Sequence, residues 1–137
     1  MEIHLSMKNI NLPAGNLTLK LISKEPKNPR WISIFIQTDQ EMIELGAEGD
    51  SDIVERFSSF LNLDIPLHEE RTHIKKGVVY TTILLLSELH TAIYGIRKSG
   101  NVEIYFQNGM NLQSIATINL SQEECNVWIQ KLNDLLN

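Results

Sequence analysis

The sequence predicts an α+β fold: a mostly antiparallel β-sheet of about seven to eight strands, one helix near 51–62 and a second near 121–136. Three observations predict it. Most of the chain alternates apolar and polar residues with period two, the mark of half-buried strands. Two stretches switch to period 3.6, the mark of amphipathic helices. The signals run ββββα and then ββββα, with short turns between strands, which suits an antiparallel sheet carrying helices on one face. With 137 residues, 42% apolar and 21% charged, the chain suits a single domain, 1–137, with a core of its own. That composition also argues against intrinsic disorder.

In the first half, Leu17, Leu19 and Leu21 alternate with Thr18 and Lys20. Ser23 to Arg30 then carries Pro26 and Pro29, which forbid a continuing strand. Ile32, Ile34 and Ile36 resume the alternation. A polar turn over Thr38, Asp39 and Gln40 leads into Met42, Ile43 and Leu45, so residues 31–47 read as a tight hairpin. Asp50 or Ser51 can cap a helix whose apolar face is Ile53, Phe57, Phe60 and Leu61. That helix stops near Asn62, because Pro66 biases Ile65 away from helical angles.

In the second half, Val78 to Leu86 is apolar on both parities, which predicts a central strand covered on both faces, at least at its end. Ser99 with Gly100, and Asn108 with Gly109, are turn signals dividing a meander: about 89–98, then Val102 to Phe106, then Leu112 to Leu120. Residues 88–98 admit two readings. Leu89, Ile93 and Ile96 fit a helical stripe, whereas Gly95 and its β-branched neighbours favour a strand. The last helix has the clearest local signature. Ser121 and Glu124 form a capping box, Leu120 and Cys125 suit a hydrophobic staple, and Cys125, Trp128, Ile129, Leu132, Leu135 and Leu136 make one stripe. A Gly-Asn pair precedes a strand at both 15–16 and 100–101, as an old duplication would leave it.

The run from Gly15 to Lys20, the basic loop after it and Trp31 opening the next strand are similar to the start of pleckstrin-homology-like domains. The final hairpin and the capped helix carrying Trp128 resemble their end. That resemblance implies an alternative architecture, a partly open barrel capped by the C-terminal helix. It also implies an alternative function as a lipid-headgroup or peptide-binding module, with Lys24, Lys27 and Arg30 as the anion-binding residues. The helix at 51–62 and the acidic hairpin before it depart from that pattern.

Catalytic motifs are lacking: there is no G-x-S-x-G and no glycine-rich phosphate loop. The single cysteine, Cys125, excludes a disulfide framework and a Cys-based zinc cluster, and on a buried stripe it reads as a small hydrophobe. His68 and His73 flank two glutamates, but their spacing differs from H-E-x-x-H, so the segment reads as a polar linker. Glu48, Asp50 and Asp52 alternate like the start of a calcium loop, yet the required glycine and final glutamate are replaced by Ile53 and Ser59. No catalytic residue, metal or cofactor is expected; an enzyme using His68 and His73 is the minor alternative. Ile3, Leu5 and Met7 alternate with polar residues where a signal peptide would be continuously apolar. No run reaches the roughly 18 apolar residues of a membrane span. The expected setting is cytoplasmic.

The charge map says more. The chain carries 17 acidic and 12 basic residues. Residues 31–55 hold seven of those acids and no base: Asp39, Glu41, Glu44, Glu48, Asp50, Asp52 and Glu55. Such a field suits a basic partner and repels phosphates, so nucleic acid is not expected. Tyr80, Tyr94 and Tyr105 would suit a contact surface if they point outward; in a core they would be packing residues. The expectation is a non-enzymatic protein-binding protein of the inhibitor, immunity-protein, adaptor or secretion-chaperone kind. Asp39, Glu41, Glu44, Glu48, Asp50 and Asp52 would be its partner-binding residues, and homodimerisation through an open sheet face is a further option.

Overall fold

The computed structural model describes residues 8–23, 32–48, 52–67, 69–86, 91–108 and 113–136. Its elements run β1 (Lys8–Ala14), β2 (Leu17–Ser23), β3 (Ile32–Gln37), β4 (Met42–Glu48), α1 (Asp52–Leu61), β5 (Thr72–Lys75), β6 (Val78–Leu86), β7 (Thr91–Lys98), β8 (Asn101–Asn108), β9 (Gln113–Ser121) and α2 (Gln122–Leu136). The architecture is α+β. Every ladder is antiparallel, in two meanders of order β1-β2-β3-β4 and β5-β6-β7-β8-β9. Among the described residues the two sheets share no ladder, so no barrel closes there, and two described helices cover the core where the pleckstrin-homology-like alternative has one cap.

Period two is translated directly into burial. Leu12, Leu19, Leu21, Ile34 and Ile36 line the inner face of the first sheet, and Ile93, Val102, Ile104, Phe106 and Leu120 that of the second. Both faces and both helices contribute to one apolar cluster. α1 lies against β6 and α2, whereas α2 lies against β1, β8 and β9. At one corner the fully buried Thr91 donates its hydroxyl to Leu45 O (2.7 Å) and accepts from Asn108 Nδ2 (2.8 Å), tying β4 to β7.

The helix ends follow local chemistry. Ser121 Oγ accepts from the Glu124 amide (3.2 Å) and Glu124 Oε1 from the Ser121 amide (3.1 Å), which is the capping box in full. The proposed caps of α1, Asp50 and Ser51, lie outside the described residues. α1 ends at Leu61, and the side chain of Asn62, the next residue, accepts from the Asp64 amide (3.1 Å). No basic residue stands in its last turn. Arg97 of β7 supplies that charge, donating to the carbonyls of Ser59, Phe60, Asn62 and Ile65 at 2.6–2.9 Å.

α2 also closes a sheet edge. β1 is an edge strand, and the carbonyls of Asn11 and Pro13 accept from Lys131 Nζ (3.2 Å) and Trp128 Nε1 (3.1 Å), one helical turn apart. Because Pro13 turns its backbone away from β2, its missing N–H falls where no ladder needs it.

Two expectations change and a third, left between two readings, is resolved as the strand the sequence favoured. The described residues form nine strands, because β5 occupies the segment read as a polar linker, after a 3-10 turn at Glu69–Arg71. Lys76 (φ 53°) and Gly77 (φ 78°) make the tight turn from β5 to β6, and two left-handed residues match strand twist there. Second, β6 is central, as expected, but its cover on both faces is confined to a short stretch near its end. Its register shifts between Thr82 and Leu84, which leaves Ile83 and Leu84 both buried, while Val78, Val79 and Leu85 are exposed. Third, the ambiguous 88–98 segment is strand β7 from Thr91 onward; residues 87–90 lie outside the described set.

Candidate functional site

The register of the second sheet gathers an aromatic surface. His73 stands opposite Tyr80, Thr82 opposite Tyr94, Tyr94 opposite Tyr105, and Tyr105 opposite Thr117. Cross-strand partners share a face, and Gly95, next to Tyr94, points toward Phe60 of α1. The tyrosines therefore occupy the outer face, away from both helices. Each is half-buried, so they are outward residues and not core.

Their mutual contacts hold them in place. The His73 ring stacks on Tyr80 (centroids 5.5 Å apart, 13° between planes) and meets Tyr94 edge-on at 5.8 Å. Tyr105 donates its hydroxyl to Glu103, which also receives Lys98. The Lys98 hydrogen bond, then that of Tyr105, holds the Glu103 carboxyl below its ordinary range. In return Glu103 pushes the Tyr105 hydroxyl up to about 12, so it remains a donor at neutral pH. His73, Lys75, Tyr80, Tyr94 and Gln107 line an open depression on this face. An ordered platform of rings with polar edges suits contact with another macromolecule, since its side chains lose little further freedom on binding.

The acidic residues are only partly gathered. Thr38 organises the β3–β4 turn: its amide donates to Glu41 O (2.9 Å), and its hydroxyl accepts from the amides of Gln40 (3.3 Å) and Glu41 (3.2 Å). Asp39 and Glu41 at this turn are exposed, and so is Glu44 beyond it. Glu44 is opposite Phe35, partway along β4, and Glu48 is at the far end, opposite Ile32. At ~3.3 Å per residue, Glu48 stands roughly 20 Å from the turn. Asp52 opens α1, and Asp50 lies outside the described residues.

The turn nevertheless reaches the second sheet. Thr38, Asp39 and Gln40 share an open cleft with Asn16, Thr117 and Ile118. Thr117 is the partner of Tyr105, so a continuous path leads from Asp39 across β9 to the tyrosines. Neither the hairpin pattern nor the charge count could show this joint, because it depends on how two sheets meet.

The remaining candidates separate. Lys24, Lys27, Arg30 and His68 lie outside the described residues. Among the described residues no three His, Cys, Asp or Glu side chains come together as a metal site. Likewise, no described helix is long and apolar enough to cross a membrane. Cys125 is fully buried, and burial, then the Glu124 charge, pushes its thiol up to about 11. At pH 8 roughly one thiol in a thousand would be ionised. Ellman's reagent is expected to leave the native protein unlabelled while reacting at once in denaturant; prompt native labelling would show that the α2 stripe opens readily.

The chain matches no protein-family model, and no curated protein is similar to it.

Proposed function

We propose that this chain is a non-enzymatic protein-binding protein, of the inhibitor, immunity-protein, adaptor or chaperone kind, acting on a partner with a basic surface. The observation that supports it is the joint at Thr117, which makes the acidic turn and the tyrosine face one contiguous surface. The two parts divide the work. Asp39, Glu41 and Glu44 draw in and orient a basic partner, an effect on association rate. Tyr80, Tyr94 and His73 supply desolvated contact area, an effect on dissociation rate.

The test begins with capture of the partner from the native cell extract and its identification by mass. Association is then followed with the wild-type chain, a D39N/E41Q/E44Q variant and Tyr94→Ala. The charge variant should associate about tenfold more slowly at low salt and lose most of its salt dependence. Tyr94→Ala should leave association unchanged and raise dissociation about tenfold or more. Rates unchanged in both variants would end this reading. Sedimentation of the chain alone at rising concentration shows whether the occupant is a second copy.

A further inference from the structure

A second site lies on the other side of β6. Between the C-terminal half of α1, the 62–67 connection and β6 is a half-open niche lined by Arg56, Ser59, Arg71, Thr81 and the apolar Phe60 and Leu67. Thr81 faces α1, since it pairs with Gly95, the residue that abuts Phe60. It is 6% exposed, and its Oγ1 has no hydrogen-bond partner. A buried hydroxyl left unmatched is costly, so its place beside an opening points to something that enters.

The surroundings define what enters. Two guanidinium groups and three hydroxyl-bearing residues, Ser59, Thr81 and Thr82, surround one opening; Arg56 has a partner of its own, but a guanidinium carries five donors, and its fork matches the geometry of carboxylate and phosphoryl groups. Arg71 is exposed and makes no ion pair among the described residues. Glu69 and Glu70 are its neighbours in the 3-10 turn, but neither lines the niche. The carbonyls at the end of α1 would repel an anion if bare. Arg97 occupies those of Ser59, Phe60, Asn62 and Ile65, which removes that obstacle. The interior is small, about 10 Å³ being open to a water-sized sphere, which is room for one oxygen atom.

From this geometry we infer that the niche at Arg56, Arg71 and Thr81 binds an oxyanion end-on, one oxygen accepting from Thr81 while the others meet the arginines at the mouth. A carboxylate and a phosphoryl group share that chemistry. Neither the acidic turn nor the tyrosine face takes part, so the site stands independently of the protein-binding reading.

The test is a titration of the ¹⁵N-labelled full chain with inorganic phosphate, and separately with acetate, at constant ionic strength. Backbone amides and arginine Nε–H groups are both followed. Saturable shifts confined to Arg56, Arg71, Thr81 and their neighbours are expected with at least one of the two. Saturation by phosphate alone assigns a phosphoryl group, and saturation by acetate alone a carboxylate. Arg71→Gln, at an exposed position, should weaken binding about tenfold. Thr81→Val keeps the shape, removes the acceptor's partner and should weaken it several-fold, with spectra showing an intact fold. No saturation with either anion overturns the proposal, as does saturation that ignores both substitutions, which would mark an adventitious ion only.

Discussion

Trp128→Ala is expected to destabilise the fold by about 3–5 kcal/mol, among the largest effects available to a single substitution here. Trp128 is 1% exposed, packs its ring 6.3 Å from that of Phe57 and donates Nε1 to Pro13 O. The loss therefore combines a cavity between the helices with an unmatched carbonyl on β1. Trp128→Phe separates the two: it keeps most of the packing and should cost about 1–2 kcal/mol. Urea denaturation followed by far-UV circular dichroism reads both. A change below about 1 kcal/mol for Trp128→Ala would mean that α2 is not part of the cooperative unit.

Gly95→Ala comes next. A Cβ there would stand 2.2 Å from Phe60 Cζ and 2.5 and 2.7 Å from its two Cε atoms. Phe60 has little room to yield, being 2% exposed with the Arg97 guanidinium over its ring at 5.8 Å. Overpacking of this kind costs about 1–3 kcal/mol. Because one ring causes it, the cost should be partly recovered in a Gly95→Ala, Phe60→Leu double variant, whose loss falls at least ~1 kcal/mol short of the sum of the singles. Strict additivity would place the strain elsewhere.

Gly95 also shows what was legible in the sequence. As a mid-element glycine it argued for strand over helix, and strand β7 is what forms. Its reason, contact with a ring 35 positions earlier, could not be read from local pattern. Elements that depend on neighbours in sequence were legible: the capping box, the β3–β4 turn and the stripes of both helices. β5 was not, because four residues with one apolar side chain carry too little periodicity, and its stability derives from pairing with β6. The division into two sheets was hidden for a related reason: hydropathy marks strands but not their partners. At the site, the tyrosines were named without an orientation, and the acidic residues without their spread along β4. Arg97 gave no signal, since its four acceptors lie 32 to 38 positions away.

The closure of β1 by α2 has a consequence for synthesis. The donors that cover the edge of the first strand, Trp128 and Lys131, follow their acceptors by 115 and 120 residues. At a ribosome adding ~5–20 residues per second, the strand would wait roughly 6–25 s before its cover is made. Throughout that interval β1 offers other nascent chains an open template. Pro13, which cannot donate along that edge, then also serves as a guard during translation.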